Sequence, residues 1–401
     1  MRAIYVEKNI PKILATKALQ YLWRDIIWSP ISPLRVADIP EPDLPGTRWV
    51  RVRNIQCGIC SSDLSLLFLK VDVSVAPAAL PGNNRFFLGH EVVGEVIEAG
   101  KDVTRFKVGD RVVMASRFTG PTCYSQEISP PCKHCSVGQT RLCENASLGI
   151  GPQGIGGGWG DGYIAHEAEL WLVPTEISND QASLIEPLAV AMHGVLRKPP
   201  ALGEHVLIIG AGIIGLLTTQ IVRILAPDCH LTILARYPHQ VEMAQSYGVN
   251  EVLTSDDLYN EISRITGAIH YKALYNRGML LGGFDVVYDC VGDAKTVTDG
   301  LRWARAGGAV VMIGFTLSQM KVDLNPIWYQ EVDLIGSHTF GVEEWKSNPT
   351  PTFDLVIDLL QRGEITHQGL ITHRFPFEEY RKAISTYANK HSGAIKVAFV
   401  Y

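Results

Sequence analysis

Val206-Leu207-Ile208-Ile209-Gly210-Ala211-Gly212-Ile213-Ile214-Gly215 is the stretch on which the reading of the fold turns. Its four leading apolar residues, mostly β-branched, predict a strand buried on both faces, and a helix is expected from Ile213 to Leu225. Between them, Gly210 permits a tight turn, Gly212 lets a pyrophosphate approach the backbone, and Gly215 lets helix and strand pack closely. Ile213 and Ile214 open the helix, whose first N–H groups are free to meet phosphate. Strand, turn and helix in direct succession form the context in which this glycine spacing signals dinucleotide binding. The residue that reads the ribose is expected about twenty positions on, where an acidic side chain would accept from a 2′-hydroxyl. Here Ala235-Arg236-Tyr237 occupy that place, and a guanidinium pairs with a 2′-phosphate, so NADP is expected over NAD. Val291 and Gly292, after the strand that ends at Cys290, are expected beside the nicotinamide.

Outward from that stretch, residues 188–340 alternate strands with helices: Leu231–Leu234, a helix around Val241–Tyr247, Asp285–Tyr288 and Ala309–Ile313. That texture predicts a doubly wound parallel sheet. Residues 1–187 are instead dense in glycine, proline and short Val/Ile runs (Trp49–Arg53, Val92–Ile97, Arg111–Met114, Leu170–Val173), which predict an irregular β module with a helical insert over Lys12–Trp28. Residues 341–401 hold one helical segment, Phe353–Leu360, and a closing strand, Ala394–Val400; too short for a core of their own, they are expected to pack back on the first module.

The chain has 401 residues, 46% of them hydrophobic and 19% charged, with 36 Lys+Arg against 41 Asp+Glu and a formal net charge of −5. Its basic residues form no stripe, so nucleic acid is not an expected partner. The longest apolar runs are strand-sized, far below the ~18 residues of a membrane span, and the N-terminus carries no targeting pattern. A soluble, cytoplasmic protein without disulfides is therefore expected.

Four of the eight cysteines, Cys123, Cys132, Cys135 and Cys143, fall close together in a loop-like sequence. In a reducing compartment such a cluster suggests a closed tetrahedral structural zinc site. A second set is dispersed: Gly58-Ile59-Cys60-Ser61-Ser62-Asp63, Gly89-His90-Glu91 and Glu186-Pro187-Leu188. Thiolate, imidazole and carboxylate make a plausible shell for a catalytic zinc with one open position, although each residue also has an ordinary packing role available.

Taken in order, Gly58–Asp63, Gly89-His90-Glu91 continuing to Gly100, Val108–Val112, the cysteine loop, Glu186–Ala191 and the Gly210 turn resemble the zinc-dependent medium-chain alcohol dehydrogenases. The Glu186-Pro187-Leu188 element is most similar to the polyol, threonine and glucose dehydrogenase branch. The resemblance implies a split GroES-like catalytic domain (1–187 and 341–401) around an inserted Rossmann domain (188–340), with the site in the cleft between them. It implies Cys60 and His90 as catalytic zinc ligands, completed by Glu91 or Glu186, with the choice between the glutamates open. Ser62 resembles the hydroxyl that passes on the substrate proton, and Asp63 the carboxylate that orients His90.

There are departures. Ser65 stands where some members carry a relay histidine, and Ser129 stands where the cysteine pattern expects a ligand, so Cys123 has to be returned to the metal by a bulge ending in Pro130-Pro131. The long segment Leu64–Phe87 reads as core or subunit contact before substrate-pocket wall, Cys57 as a core residue, Cys290 as packing, and His193 as packing or site lining. The expected activity is hydride transfer between an alcohol, of polyol or sugar type, and NADP, with two zincs per chain and a homodimeric or homotetrameric assembly. The alternatives are a zinc-free enone or quinone reductase of the same superfamily and a nucleotide-binding sensor or structural protein.

Overall fold

The computed structural model describes residues 1–72, 74, 84–115, 121–146, 156–254, 257–272, 274 and 278–401. The Gly210 turn lies at the centre of a six-stranded sheet. Its order is Glu251–Leu253, His230–Leu234, His205–Ile209, Phe284–Asp289, Ala304–Met312, Asp333–Gly336, with every neighbouring pair parallel. Chain order reverses between the strands His205–Ile209 and Phe284–Asp289, and the crevice at the carboxyl ends of such a pair is where α/β sheets bind ligands. Val206, Leu207, Ile208 and Ile209 are all buried, as a strand covered by helices on both faces requires. The helix Ile213–Leu225 begins directly after the turn.

The β module is a seven-stranded sheet: Ile371–Pro376, Lys396–Val400, Trp49–Gly58, Glu91–Ala99, Arg111–Met114 and Leu170–Leu172 in that order, with Gly162–His166 also pairing on Trp49–Gly58. The closing strand Lys396–Val400 thus lies antiparallel to Trp49–Gly58, so the last segment of the chain completes the first module's sheet. A separate three-stranded sheet joins Leu34–Asp38, Arg2–Glu7 and Arg85–Phe87.

The insert expected over Lys12–Trp28 resolves into a helix Ile10–Leu19, started by the Asn9 side chain with Pro11 in its first turn, and a short 3₁₀ segment Arg24–Trp28. Of the apolar run after Leu64, Leu67 and Leu69 are buried in the β module's core, with Leu64, Leu66 and Phe68 packed against it, while Val73 and Val75 lie outside the described residues. Two hairpin-like pairs have no clear sequence signal: Ile269–Tyr271 with Met279–Leu281, and Val342–Trp345 with Asn348–Pro351. No helix among the described residues is long and apolar enough to cross a membrane.

Candidate active site and metal centres

Strand register builds the first cluster. Gly58, at the end of Trp49–Gly58, pairs across the sheet with Glu91 on one side and Ala398 on the other. The chain leaving Gly58 therefore passes beside the start of Glu91–Ala99, and Cys60 caps the helix Ser61–Leu67 there. One ligand atom each from Cys60, His90 and Glu91 lies within 4.8 Å of the others. Only a glycine fits at 58, because a Cβ there would come within 2.2 Å of Glu91 Oε2.

Supporting groups fix this trio. Asp63, buried in the first turn of the helix, accepts from Cys60 N at 3.2 Å and Gly89 N at 2.9 Å, and its Oδ1 stands 3.4 Å from His90 Nδ1. Ser62 Oγ donates to Cys60 Sγ at 3.1 Å. Lys396, from the closing strand, reaches both Glu91 oxygens at 2.7 and 2.6 Å and also donates to Ile59 O. Lys396 and Glu91 are each only 1% exposed. Burial opposes the lysine's charge, but Glu91 outweighs it and holds the ammonium protonated.

Sequence reasoning missed Lys396. Its one signal is a lone lysine within the apolar run of residues 394–400. His90 behaves similarly: burial pulls its pKa down, yet Asp63 and Cys60 together raise it well above the ordinary histidine value.

Glu186 sits in the first turn of the helix Ile185–Arg197 and is buried. It is not among the atoms within 4.8 Å, but it feels His90, Glu91, Lys396 and Asp63. Burial, helped by Glu91 and Asp63, pushes its carboxyl up to about 7. His193, two turns further on, hydrogen-bonds Glu343 at 2.7 Å, and Glu343 also accepts from Thr352. His193 thus ties the helix to the strand Val342–Trp345.

The second cluster is made of sulfur alone. Cys123, Cys132, Cys135 and Cys143 each place a sulfur within 4.8 Å of the others, so Cys123 does return to the group despite its displaced spacing. Cys123 Sγ and Cys143 Sγ are 3.6 Å apart. Tetrahedral zinc–sulfur bonds of about 2.3 Å would set sulfurs about 3.8 Å apart, so the cage fits that ion. Cys132 N and Asn145 Nδ2 donate to Cys123 Sγ at 3.3 and 3.1 Å, and Glu144 N donates to Cys132 Sγ at 3.5 Å. The Glu144 N–H is the main influence lowering the Cys132 thiol to about 6, while burial raises Cys135 and Cys143. All eight cysteines are free thiols. Cys57 is a buried strand residue, and Cys290 lies beside Thr218 Oγ1 at 3.6 Å.

At the sheet's switch point, Gly210 has φ +95°, and a Cβ at Gly215 would lie 1.8 Å from Gly210 O. Nothing stands within 4 Å of a Cβ position at Gly212, which leaves the helix N-terminus open to an approaching group. Val291 N and Gly292 N both donate to Asp289 Oδ1, fixing the neighbouring strand end. Ala235 is buried and Arg236 exposed; Tyr237 stacks on His239 with ring centroids 5.8 Å apart, and His391 meets Tyr237 edge-on.

With this geometry in hand, comparison with known proteins gives a consistent result. Residues 46–175 match the alcohol dehydrogenase GroES-like domain, and residues 214–386 match the zinc-binding dehydrogenase domain. A sorbitol dehydrogenase of Arabidopsis thaliana is 30% identical over 376 residues, covering 92% of this chain and 93% of that protein. The chain belongs to the zinc-dependent medium-chain alcohol dehydrogenase family. As a member of that family it is an alcohol dehydrogenase built from a GroES-like and a Rossmann part. An L-threonine 3-dehydrogenase of Legionella pneumophila is 29% identical over 359 residues, 89% of this alcohol dehydrogenase and 94% of the relative. Among solved structures, a zinc-binding dehydrogenase from Sinorhizobium meliloti 1021 bound to NADP superposes with a TM-score of 0.70 at 26% identity, covering 92% of this chain and 95% of that one.

Proposed function

We propose that this protein oxidises a polyol or related secondary alcohol with NADP, and reduces the corresponding ketone, at the Cys60–His90–Glu91 cluster. That cluster carries the reading: a thiol, an imidazole and a carboxylate converge within 4.8 Å, a donor set suited to zinc with a position left for substrate. Bound there, zinc would supply the Lewis acidity that lowers the pKa of an alcohol hydroxyl. We assign Cys60, His90 and Glu91 as ligands, with Lys396 compensating Glu91 and Glu186 held behind them as a carboxyl that exchanges its proton near neutral pH. The four-cysteine lobe is assigned a second, structural zinc.

Asp63 keeps His90 in the ligating orientation through the 3.4 Å contact. Ser62, whose Oγ lies 3.1 Å from Cys60 Sγ, is the hydroxyl placed to take up the substrate proton. A bound nicotinamide would supply the hydride acceptor; Val291 and Gly292 would flank its ring, Gly210–Gly215 would hold the pyrophosphate and Arg236 would pair with the 2′-phosphate. The resemblance to polyol dehydrogenases and the NADP-bound neighbour support these choices of substrate and cofactor.

A homodimer or homotetramer is proposed, supported by exposed Leu324, Trp328, Tyr329 and Leu334 around the sheet's edge strand. A cytoplasmic location fits the free thiols. The test is a panel of polyols, sugars and simple secondary alcohols with NADP and NAD. A polyol oxidised with about ten- to a hundredfold preference for NADP in kcat/KM, lost in Arg236→Ala, is expected. Equal or better use of NAD by the unmodified protein refutes the cofactor assignment.

A further inference from the structure

A cavity of about 370 Å³ opens between the cysteine lobe, the β module and the helix Thr352–Gln361. None of its lining residues belongs to the Cys60 cluster, the cysteine cage or the Gly210 turn. Its size lies within the range of small-molecule sites, about 300–1,000 Å³. Much of its wall is aromatic: Tyr124 from the lobe, Trp171, Phe340 and Phe353, the last two packed edge-to-face with centroids 4.6 Å apart.

Its polar side is basic. Arg48 and Arg105 both line it, and both bond the buried residue Glu167. Arg48 Nε donates to Glu167 Oε1 at 2.8 Å, while Oε2 is taken by the backbone N–H groups of Thr104 and Arg105. Arg105 Nη1 donates to the Glu167 backbone carbonyl, and its guanidinium lies 5.5 Å from the Trp171 ring. Across His166 stands a second carboxylate, the half-exposed Glu127, so a positive charge is left over only when Glu127 turns outward.

Beside them His166 is completely buried. Its Nδ1 accepts from Ala168 N at 3.1 Å, which places the ring proton on Nε2. That N–H has one partner, a long contact of 3.5 Å to Oε1 of half-exposed Glu127. A buried donor held by so long a contact is poorly satisfied, and an incoming carboxylate taking the place of Glu127 would approach it more closely.

We propose that this cavity is a second ligand site that takes a planar apolar monoanion, an aromatic carboxylate in chemical class. The carboxylate lies between Arg48, Arg105 and the His166 N–H, and the ring lies among Tyr124, Phe340 and Phe353. Replacing the single charge of Glu127 against an apolar wall selects a monoanion with an aromatic body over a small dianion such as phosphate.

The probe is 2-naphthoate, titrated calorimetrically into the zinc-loaded enzyme, with 2-naphthamide and inorganic phosphate as comparisons. Saturable binding is expected, weakened about tenfold or more by Arg105→Ala and by Ala168→Phe, which fills the cavity from a different wall, and unchanged by Cys60→Ala. Folding of each variant is checked by its melting transition. The amide should bind at least about tenfold more weakly than the acid. Four results overturn the proposal: no saturable binding up to about 10 mM; binding that survives both cavity variants; binding lost in Cys60→Ala, which would put the carboxylate on the catalytic metal; or phosphate binding more tightly than naphthoate.

Discussion

In the lobe around Cys123 and Cys143, all four ligand atoms come from one short run of chain and are met by backbone and amide N–H groups. Cys60, His90 and Glu91 come from two segments, and their charge is balanced by a lysine from a third, near the other end of the chain. On the proposed assignment of one catalytic and one structural zinc, the difference follows from what each cluster is for. A closed cage needs only local loop geometry and donors aimed at sulfur. A site that must keep one position open has to be braced from outside, and Lys396 and Asp63 do that through strand register and a helix turn.

The comparison breaks most visibly at Lys396. Lys396→Met leaves Glu91 buried without its partner, and loss of one member of a buried pair is worth about 3–5 kcal/mol. Chemical unfolding should show a drop of that order, largely recovered in the double variant with Glu91→Gln. A single variant as stable as the parent would mean that the ion pair does not brace the site. No substitution of one lobe residue's hydrogen-bond donor should have so large an effect.

Next comes the buried carboxyl at Glu186. A folded value of about 7 against an ordinary 4.5 means that the native state binds a proton the unfolded chain has released across that window. Stability of the metal-free protein should therefore fall as pH rises from 4.5 to 7, by about 3 kcal/mol in all. Glu186→Gln should flatten that slope. His90, also raised, adds its own loss only above the ordinary histidine range. An unchanged slope in the variant would show that Glu186 is not the group responsible.

The smallest effect belongs to the lobe. Asn145→Ala removes the 3.1 Å donor to Cys123 Sγ and should weaken zinc retention there about 10- to 100-fold in chelator competition. Turnover at the Cys60 cluster should hardly change in the same variant. An unaltered affinity would mean that the backbone donors suffice.

How far the sequence could be read depends on how local each constraint is. The Gly210 turn was legible because strand, glycines and helix are contiguous, and the helix from Ile213 to Leu225 lies where its pattern predicts. The cysteine lobe was legible for the same reason, although only the folded chain shows that Cys123 rejoins it across the displaced spacing. Lys396 was not, because it meets Glu91 305 positions away and only through pairing of the closing strand with Trp49–Gly58. The choice between Glu91 and Glu186 was equally hidden, since motif spacing does not separate them, and only the fold brings the Glu91 carboxylate within 4.8 Å of the Cys60 and His90 ligand atoms. The short pair Val342–Trp345 and Asn348–Pro351 is too polar and brief to carry a period, yet it supplies Glu343 to His193.

The most direct measurement is zinc per chain, counted in the parent, in Cys60→Ala and in Cys135→Ser, alongside turnover. Two zincs in the parent are expected and one in each variant. Cys60→Ala should abolish turnover while keeping its dinucleotide affinity, and Cys135→Ser should lose thermal stability but keep activity in whatever fraction stays folded. Near-normal turnover in a folded Cys60→Ala protein, or full zinc occupancy in either variant, would contradict the assignment of one catalytic and one structural centre.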